Sequence, residues 1–123
     1  MTIAIICGGR GHLPFTTSHF HWLATLHTRL CFTQIIDGGA SGADTYGRAW
    51  AETHGIDTVT FWANWTRYEK RAGPLRNQRM LDYLLTQHDQ RIVLAFAGGK
   101  GTADMVHRAE SAGIVTYRYP DLS

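Results

Sequence analysis

Long apolar runs are missing from this chain. The longest, Ile3 to Cys7 and Ile92 to Ala97, fall far short of the ~20 residues a membrane-spanning helix needs. Cysteine is scarce. Cys7 and Cys31 sit in apolar surroundings without metal or redox spacing, which predicts two buried, reduced thiols and argues against a disulfide scaffold. Charge of one sign is lacking as well. Twelve basic residues face ten acidic ones, for a formal net charge of +2, unlike the overall basicity of a domain that tracks nucleic acid. Met1-Thr2 leads directly into strand-like sequence, with no basic stretch and no small-residue cleavage site. No secretory signal is predicted, and a cytoplasmic location is expected. The seven histidines show no metal-ligand pattern; His19 and His21, two apart, fall on different helix faces, and no metal site is predicted. Internal repeats, low-complexity segments and linkers are absent too, so residues 1–123 are expected to form a single domain.

What is present is a chain able to bury a core, with 44% hydrophobic and 18% charged residues. Short apolar runs alternate with helical patterns. Residues 3–7 show no polar alternation, as expected of a strand covered on both faces. Phe20, Leu23, Leu26 and Leu30 then recur at helical spacing, with Thr17 or Ser18 as the expected N-cap. Residues 33–37 read as a second strand, 43–54 as a helix stopped by Gly55, and 58–61 as a third strand. A long connection, 62–73, follows, and Pro74 suits the first position of the next helix, which runs to about His88. Residues 91–96 read as a strand, 102–111 as a helix ended by Gly113, and 114–119 as the last strand. Such alternation predicts an α/β, Rossmann-like fold with a mostly parallel five-stranded sheet and helices on both faces.

Nine of the thirteen glycines fall in three clusters, each directly after a predicted strand: Gly8, Gly9 and Gly11; Gly38, Gly39 and Gly42; Gly98, Gly99 and Gly101. In an open parallel sheet those strand ends share one edge. Glycine lets backbone N–H groups approach an anion, and the following helix adds its own free N–H groups and dipole. Three such loops on one edge predict a phosphate cradle. Neither G-x-G-x-x-G nor a lysine-containing P-loop occurs, which disfavours a standard dinucleotide or NTPase site.

Arg67, Lys70, Arg71, Arg76 and Arg79 lie within thirteen positions, a local basic patch that suits an anionic ligand or else forms an exposed cationic helix face. Arg10 is placed either to grip a phosphate or to pair with Asp37 or Asp44. Asp44 reads as a helix cap, with contact to a ribose hydroxyl or base as the alternative. Thr102 would cap its helix and could donate to phosphate. Trp62 and Trp65, in the long connection, either stack on a base or pack the loop, and packing is favoured.

Five stretches in order carry a resemblance: Gly8-Gly9-Arg10, Gly38 to Asp44, Trp65, Ala72 to Met80 and Gly98 to Met105. Together they resemble the YspA-type, cpYpsA-related branch of the SLOG superfamily, whose relatives include the LOG phosphoribohydrolases and the DprA/Smf proteins. The resemblance implies a Rossmann-like fold and a nucleotide-derived ligand. Arg76-Asn77-x-x-Met80 is similar to the LOG arginine-lysine-x-x-methionine motif, which places Arg76 on an active-site arginine. Residues 97–105 are similar to the LOG motif P-G-G-x-G-T-x-x-E, with Ala97 for the proline and Met105 for the glutamate. Gly11-His12 stands where this branch commonly has an acidic residue.

These readings give an expected ligand-binding set of Gly8, Gly9, Arg10, Gly38, Gly39, Ser41, Gly42, Asp44, Arg76, Asn77, Gly98, Gly99, Lys100, Gly101 and Thr102. A module that binds or senses a nucleotide or nucleotide-derived phosphate is the leading expectation, with no separate cofactor. The second is a nucleotide N-glycosidic-bond hydrolase, Arg76 stabilising anionic charge and Asp104 serving as general acid/base. The third is DprA-like DNA binding through residues 67–79, although nucleic acid is the less expected partner. A homodimer is suggested by analogy with LOG-like relatives.

Overall fold

In the computed structural model, which describes residues 1–9 and 14–122, the isoleucine-rich opening forms β1 (Thr2–Cys7), every residue of it buried. The chain continues through α1 (Thr17–Leu30), β2 (Phe32–Asp37), α2 (Ala43–Thr53), β3 (Asp57–Thr60), α3 (Trp65–Tyr68), a 3₁₀ turn (Glu69–Arg71), α4 (Ala72–Leu85), β4 (Gln90–Ala95), α5 (Lys100–Ser111) and β5 (Val115–Arg118). The strands form one sheet in the order β3-β2-β1-β4-β5. Every pairing is parallel, so the fold is α/β and Rossmann-like.

Strand alternation divides the core in two. Ala4 and Ile6 of β1 face Trp22, Leu23 and Leu26 of α1 and Trp50 and Ala51 of α2. Ile3, Ile5 and Cys7 face Met80, Leu81 and Leu84 of α4 and Met105 and Ala109 of α5. Each fully buried Leu or Ile contributes roughly 1.5–3 kcal/mol through removal from water, so both helical layers are held by burial. Ile5 sits in the middle, paired with Ile36 on one side and Val93 on the other.

The order of strands places the site. After β3 the chain crosses to the other face of the sheet and re-enters as β4 beside β1. The connections from β1 and β4 therefore leave in opposite directions, opening a crevice at their C-terminal ends. Its floor is tied by Gly9 N–H donating to the Ala97 carbonyl at 2.8 Å.

Several local readings are corrected. The N-cap of α1 is Thr16, whose backbone N–H donates to His19 Nδ1 at 2.9 Å. The connection after β3 contains α3, because the Asn64 side chain accepts from Arg67 N–H at 3.1 Å and caps a short turn. The 3₁₀ turn runs straight into α4, so Pro74 is its third residue, where a missing N–H still costs nothing. α4 ends at Leu85, short of His88. Cys7 is buried but Cys31 is exposed. Cys31 occupies the left-handed C-cap of α1, where the chain turns between helix and strand and leaves the core. Among the described residues no helix is long and apolar enough to cross a membrane.

Candidate functional site

A cavity of about 640 Å³ lies over the β1–β4 crevice. Of the expected residues, Gly8, Gly9, Asp44, Arg76, Asn77, Gly99, Lys100, Gly101 and Thr102 line it, together with Asp104. Four elements converge there: the β1 loop, the start of α2, the start of α4 and the start of α5. Arg10, Gly11 and His12 lie outside the described residues. Gly38, Gly39, Ser41, Gly42 and Gly98 are not part of the lining.

The first three residues of the loop after β2 have spent their N–H donors within the protein. Gly38 N–H donates to Asp44 Oδ2 at 2.8 Å, and Ala40 N–H reaches the same oxygen at 3.4 Å. Gly39 N–H donates to Asp37 Oδ1 at 2.8 Å. Three successive N–H groups of the expected cradle are thus occupied by carboxylates of the chain itself. Ala43 N–H, the first of α2, turns to the Gly9 carbonyl at 3.4 Å. The role of Asp44 is corrected accordingly: it is inside α2, whose N-cap is Gly42 without a side-chain cap, and it braces the preceding loop. Asp37 also accepts from Thr60 Oγ1 at 2.9 Å and pairs with Arg48 at 3.5 Å.

Burial acts on these acids. Desolvation raises the Asp37 carboxyl despite its hydrogen bonds and Arg48. Asp44, only 5% exposed, is pushed up to about 6 by desolvation, reinforced by the Asp37 charge and opposed by the Gly38 N–H and Arg76. Burial, with the Asp44 charge adding to it, also drives the Cys7 thiol far up. Cys7 lines the cavity as a protonated thiol and not as a nucleophile.

The start of α4 works as a strut. Arg76, itself buried, donates from Nη1 to the Gly38 carbonyl. A Cβ on Gly38 would lie 2.6 Å from the guanidinium carbon, so only glycine admits this approach. Arg76 Nε donates to Asn77 Oδ1 at 2.9 Å. Asn77 Nδ2 in turn donates to the Gly101 carbonyl at 3.2 Å and to Asp104 Oδ2 at 3.0 Å. One arginine and one asparagine therefore hold the β2 loop and the start of α5 together. Arg76 thus has the structural pairing that was the alternative to a ligand contact, and it also lines the cavity.

The start of α5 differs from the β2 loop. Its N-cap is Gly99 at φ −98°, with no side-chain cap, so Thr102 does not cap it. The first helical N–H groups, from Lys100, Gly101 and Thr102, have no carbonyl partner one turn back. A Cβ on Gly99 or Gly101 would meet no described atom within 4 Å. Gly98, by contrast, is packed: a Cβ there would lie 2.8 Å from Gly9 N.

Asp104 lines the cavity, and its neighbour Met105 is 1% exposed in the core beneath the sheet. The carboxylate on the cavity side is therefore that of Asp104, and a side chain at 105 faces the core. Burial pushes the Asp104 carboxyl up, but Arg108, bonded to Oδ2 at 2.8 Å, and Asn77 outweigh it and hold it below its usual value.

The basic cluster is dispersed by the fold. Arg76 points inward and Lys70 lines the cavity. Arg79 lies over the Phe61 ring at 5.4 Å and Arg67 over Tyr68 at 5.2 Å. Trp65 lines the cavity, whereas Trp62 covers Gly39 with the Arg48 guanidinium 5.8 Å from its ring. Ala40, Lys70, Pro74 and Met80 also line the cavity and were outside the expected set. Lys70 carried a signal in the basic cluster, and Pro74 and Met80 in the motif around Arg76. Ala40 carried none beyond its place between glycines.

No curated protein matches the chain in sequence. A family model, the YspA, cpYpsA-related SLOG family, matches residues 2–68, a span that includes the β1 loop, the β2 loop and Asp44. The chain belongs to the YspA, cpYpsA-related SLOG family.

Proposed function

We propose that this protein binds a nucleoside phosphate, with the phosphate at the start of α5 and the nucleoside lying across the end of β1. SLOG membership associates the chain with nucleotide-related ligand binding or processing in general. The single observation that carries the finer reading is the uncapped α5 N-terminus, opening on a cavity of about 640 Å³ beside Lys100. Free N–H groups, the positive end of the helix dipole and one ammonium suit a phosphate dianion. The open space above Gly99 and Gly101 lets it come close. Because Gly38, Gly39 and Ala40 have committed their N–H groups to Asp37 and Asp44, the phosphate is placed at the start of α5 and not on that stretch of the β2 loop.

Cleavage of an N-glycosidic bond is the second reading, favoured by Asp104 on the cavity wall. Protonating a leaving base requires an acid that holds its proton near neutral pH. Asp104 is held ionised by Arg108 and Asn77, which speaks against it as that acid.

Calorimetry with AMP, GMP, CMP and UMP tests both readings, followed by chromatography for free base. The expected result is saturable binding of at least one monophosphate, weakened about tenfold or more in Lys100→Ala, with no base released above buffer. Binding unaffected by Lys100→Ala removes the phosphate from α5. Turnover near ~1 s⁻¹ that disappears in Asp104→Asn establishes the hydrolase.

A further inference from the structure

Asp44 has a task left over after the loop is braced. Both backbone N–H groups it receives, from Gly38 and Ala40, go to Oδ2. Oδ1 accepts no hydrogen bond among the described residues, yet the side chain is 5% exposed and lines the cavity. That oxygen keeps its acceptor capacity at the cavity wall, where a ligand hydroxyl offers it a donor. The other acids are placed differently. Asp37 is fully buried and fully engaged by Gly39, Thr60 and Arg48. Asp104 is neutralised by Arg108 and stands on α5 itself.

Spacing supports the assignment. β2 and β4 flank β1, so the starts of α2 and α5 stand about two strand spacings apart, roughly 10 Å. A phosphate held at one and a hydrogen bond made at the other leave room for one pentose between them. We infer that Asp44 reads the sugar of the ligand, its Oδ1 accepting from a ribose hydroxyl, so that the site takes ribonucleotides over their 2′,3′-dideoxy counterparts. This rests on the phosphate lying at α5. In Asp44→Asn the amide oxygen can still accept from Gly38 and Ala40 while the NH₂ group faces the cavity. The substitution keeps the brace and reverses the hydrogen-bonding sense toward the sugar.

The experiment is calorimetry at pH 7.5 with AMP, GMP, CMP and UMP and the 2′,3′-dideoxy form of each one that binds. Wild type should prefer the ribonucleotide by about ten- to a hundredfold, the size of one charge-assisted hydrogen bond. The preference should fall below about threefold in Asp44→Asn and persist in Asp104→Asn. The wild-type ratio needs no variant, so it stands even if Asp44→Asn fails to fold. Equal wild-type affinities, a preference that survives in Asp44→Asn, or one lost only in Asp104→Asn overturns the assignment while the nucleotide reading stands. Equal weakening of both forms in Asp44→Asn also overturns it, moving Asp44 to the base. Absence of binding by all four monophosphates overturns the nucleotide reading itself.

Discussion

Replacing Asp44 by Asn should stabilise the ligand-free protein at alkaline pH and do much less at acid pH. The carboxyl is pushed from 3.8 up to about 6 in the fold, a difference of roughly two units, worth about 3 kcal/mol at 1.36 kcal/mol per unit. Desolvation is the main cause and the Asp37 charge the second raising influence, while the Gly38 and Ala40 N–H groups and Arg76 act against them. A folded value above the unfolded one means that the native state binds the proton more tightly. The stabilisation is then fully present below pH 3.8 and lost as pH rises through about 6. Asn carries no such charge. Relative to wild type, Asp44→Asn should therefore gain about 3 kcal/mol between pH 4 and pH 8, or on the order of 10 °C in melting temperature for a domain of this size. Asp37 titrates in both proteins and largely cancels. Urea unfolding at the two pH values, extrapolated linearly, measures the double difference. A gap that is the same within ~1 kcal/mol at both pH values refutes the desolvation argument, and with it the claim that Asp44 is ionised at a cost.

Arg76→Ala should destabilise the fold by about 1.5–3 kcal/mol, since it removes charge-assisted bonds to the Gly38 carbonyl and Asn77. Arg79→Ala, by comparison, removes an exposed guanidinium over Phe61 and should cost under ~1 kcal/mol; equal losses in denaturant would place Arg76 outside the strut. Gly99→Val should melt within a few degrees of wild type, because φ is −98° and the space is open, yet lose the thermal shift given by a bound monophosphate. Gly98→Ala should instead lose stability through its contact with Gly9 N, and a reversed order of the two melting temperatures would contradict the packing described. His27 is lowered from 6.5 by burial and by the His54 charge, and its Nδ1 accepts from Phe32 N–H at 3.0 Å. Its share of stability is present above pH 6.5 and lost as pH falls through its depressed value; an imidazole titrating at or above 6.5 by NMR would exclude this.

Much of the molecule was legible in the residues alone. The unbroken apolar run of β1, the helical spacing of Leu23 and Leu26, and the glycines at 55 and 113 specify the αβ alternation, because burial and backbone conformation act locally. The same locality explains why glycine clusters after strands marked the edge that carries the cavity. Elements that depend on one side chain were less visible. Asn64 capping α3 adds a single hydrogen bond, too small a signal against a polar stretch.

The use made of each loop was decided only by the tertiary structure. The three glycine clusters look equivalent in one dimension, but Asp37 and Asp44 take the Gly38, Gly39 and Ala40 N–H groups of the second, while the third opens on the cavity at the start of α5. The five basic residues read as one patch until the fold turns Arg76 inward, sets Lys70 at the cavity wall and leaves Arg67, Arg71 and Arg79 exposed. Met105 and Asp104 are neighbours in sequence, yet the ~100° step of the helix sends one into the core and the other to the cavity. Composition determines that a residue can take part in a site, while hydrogen-bond partners brought from distant segments determine what capacity it has left for a ligand.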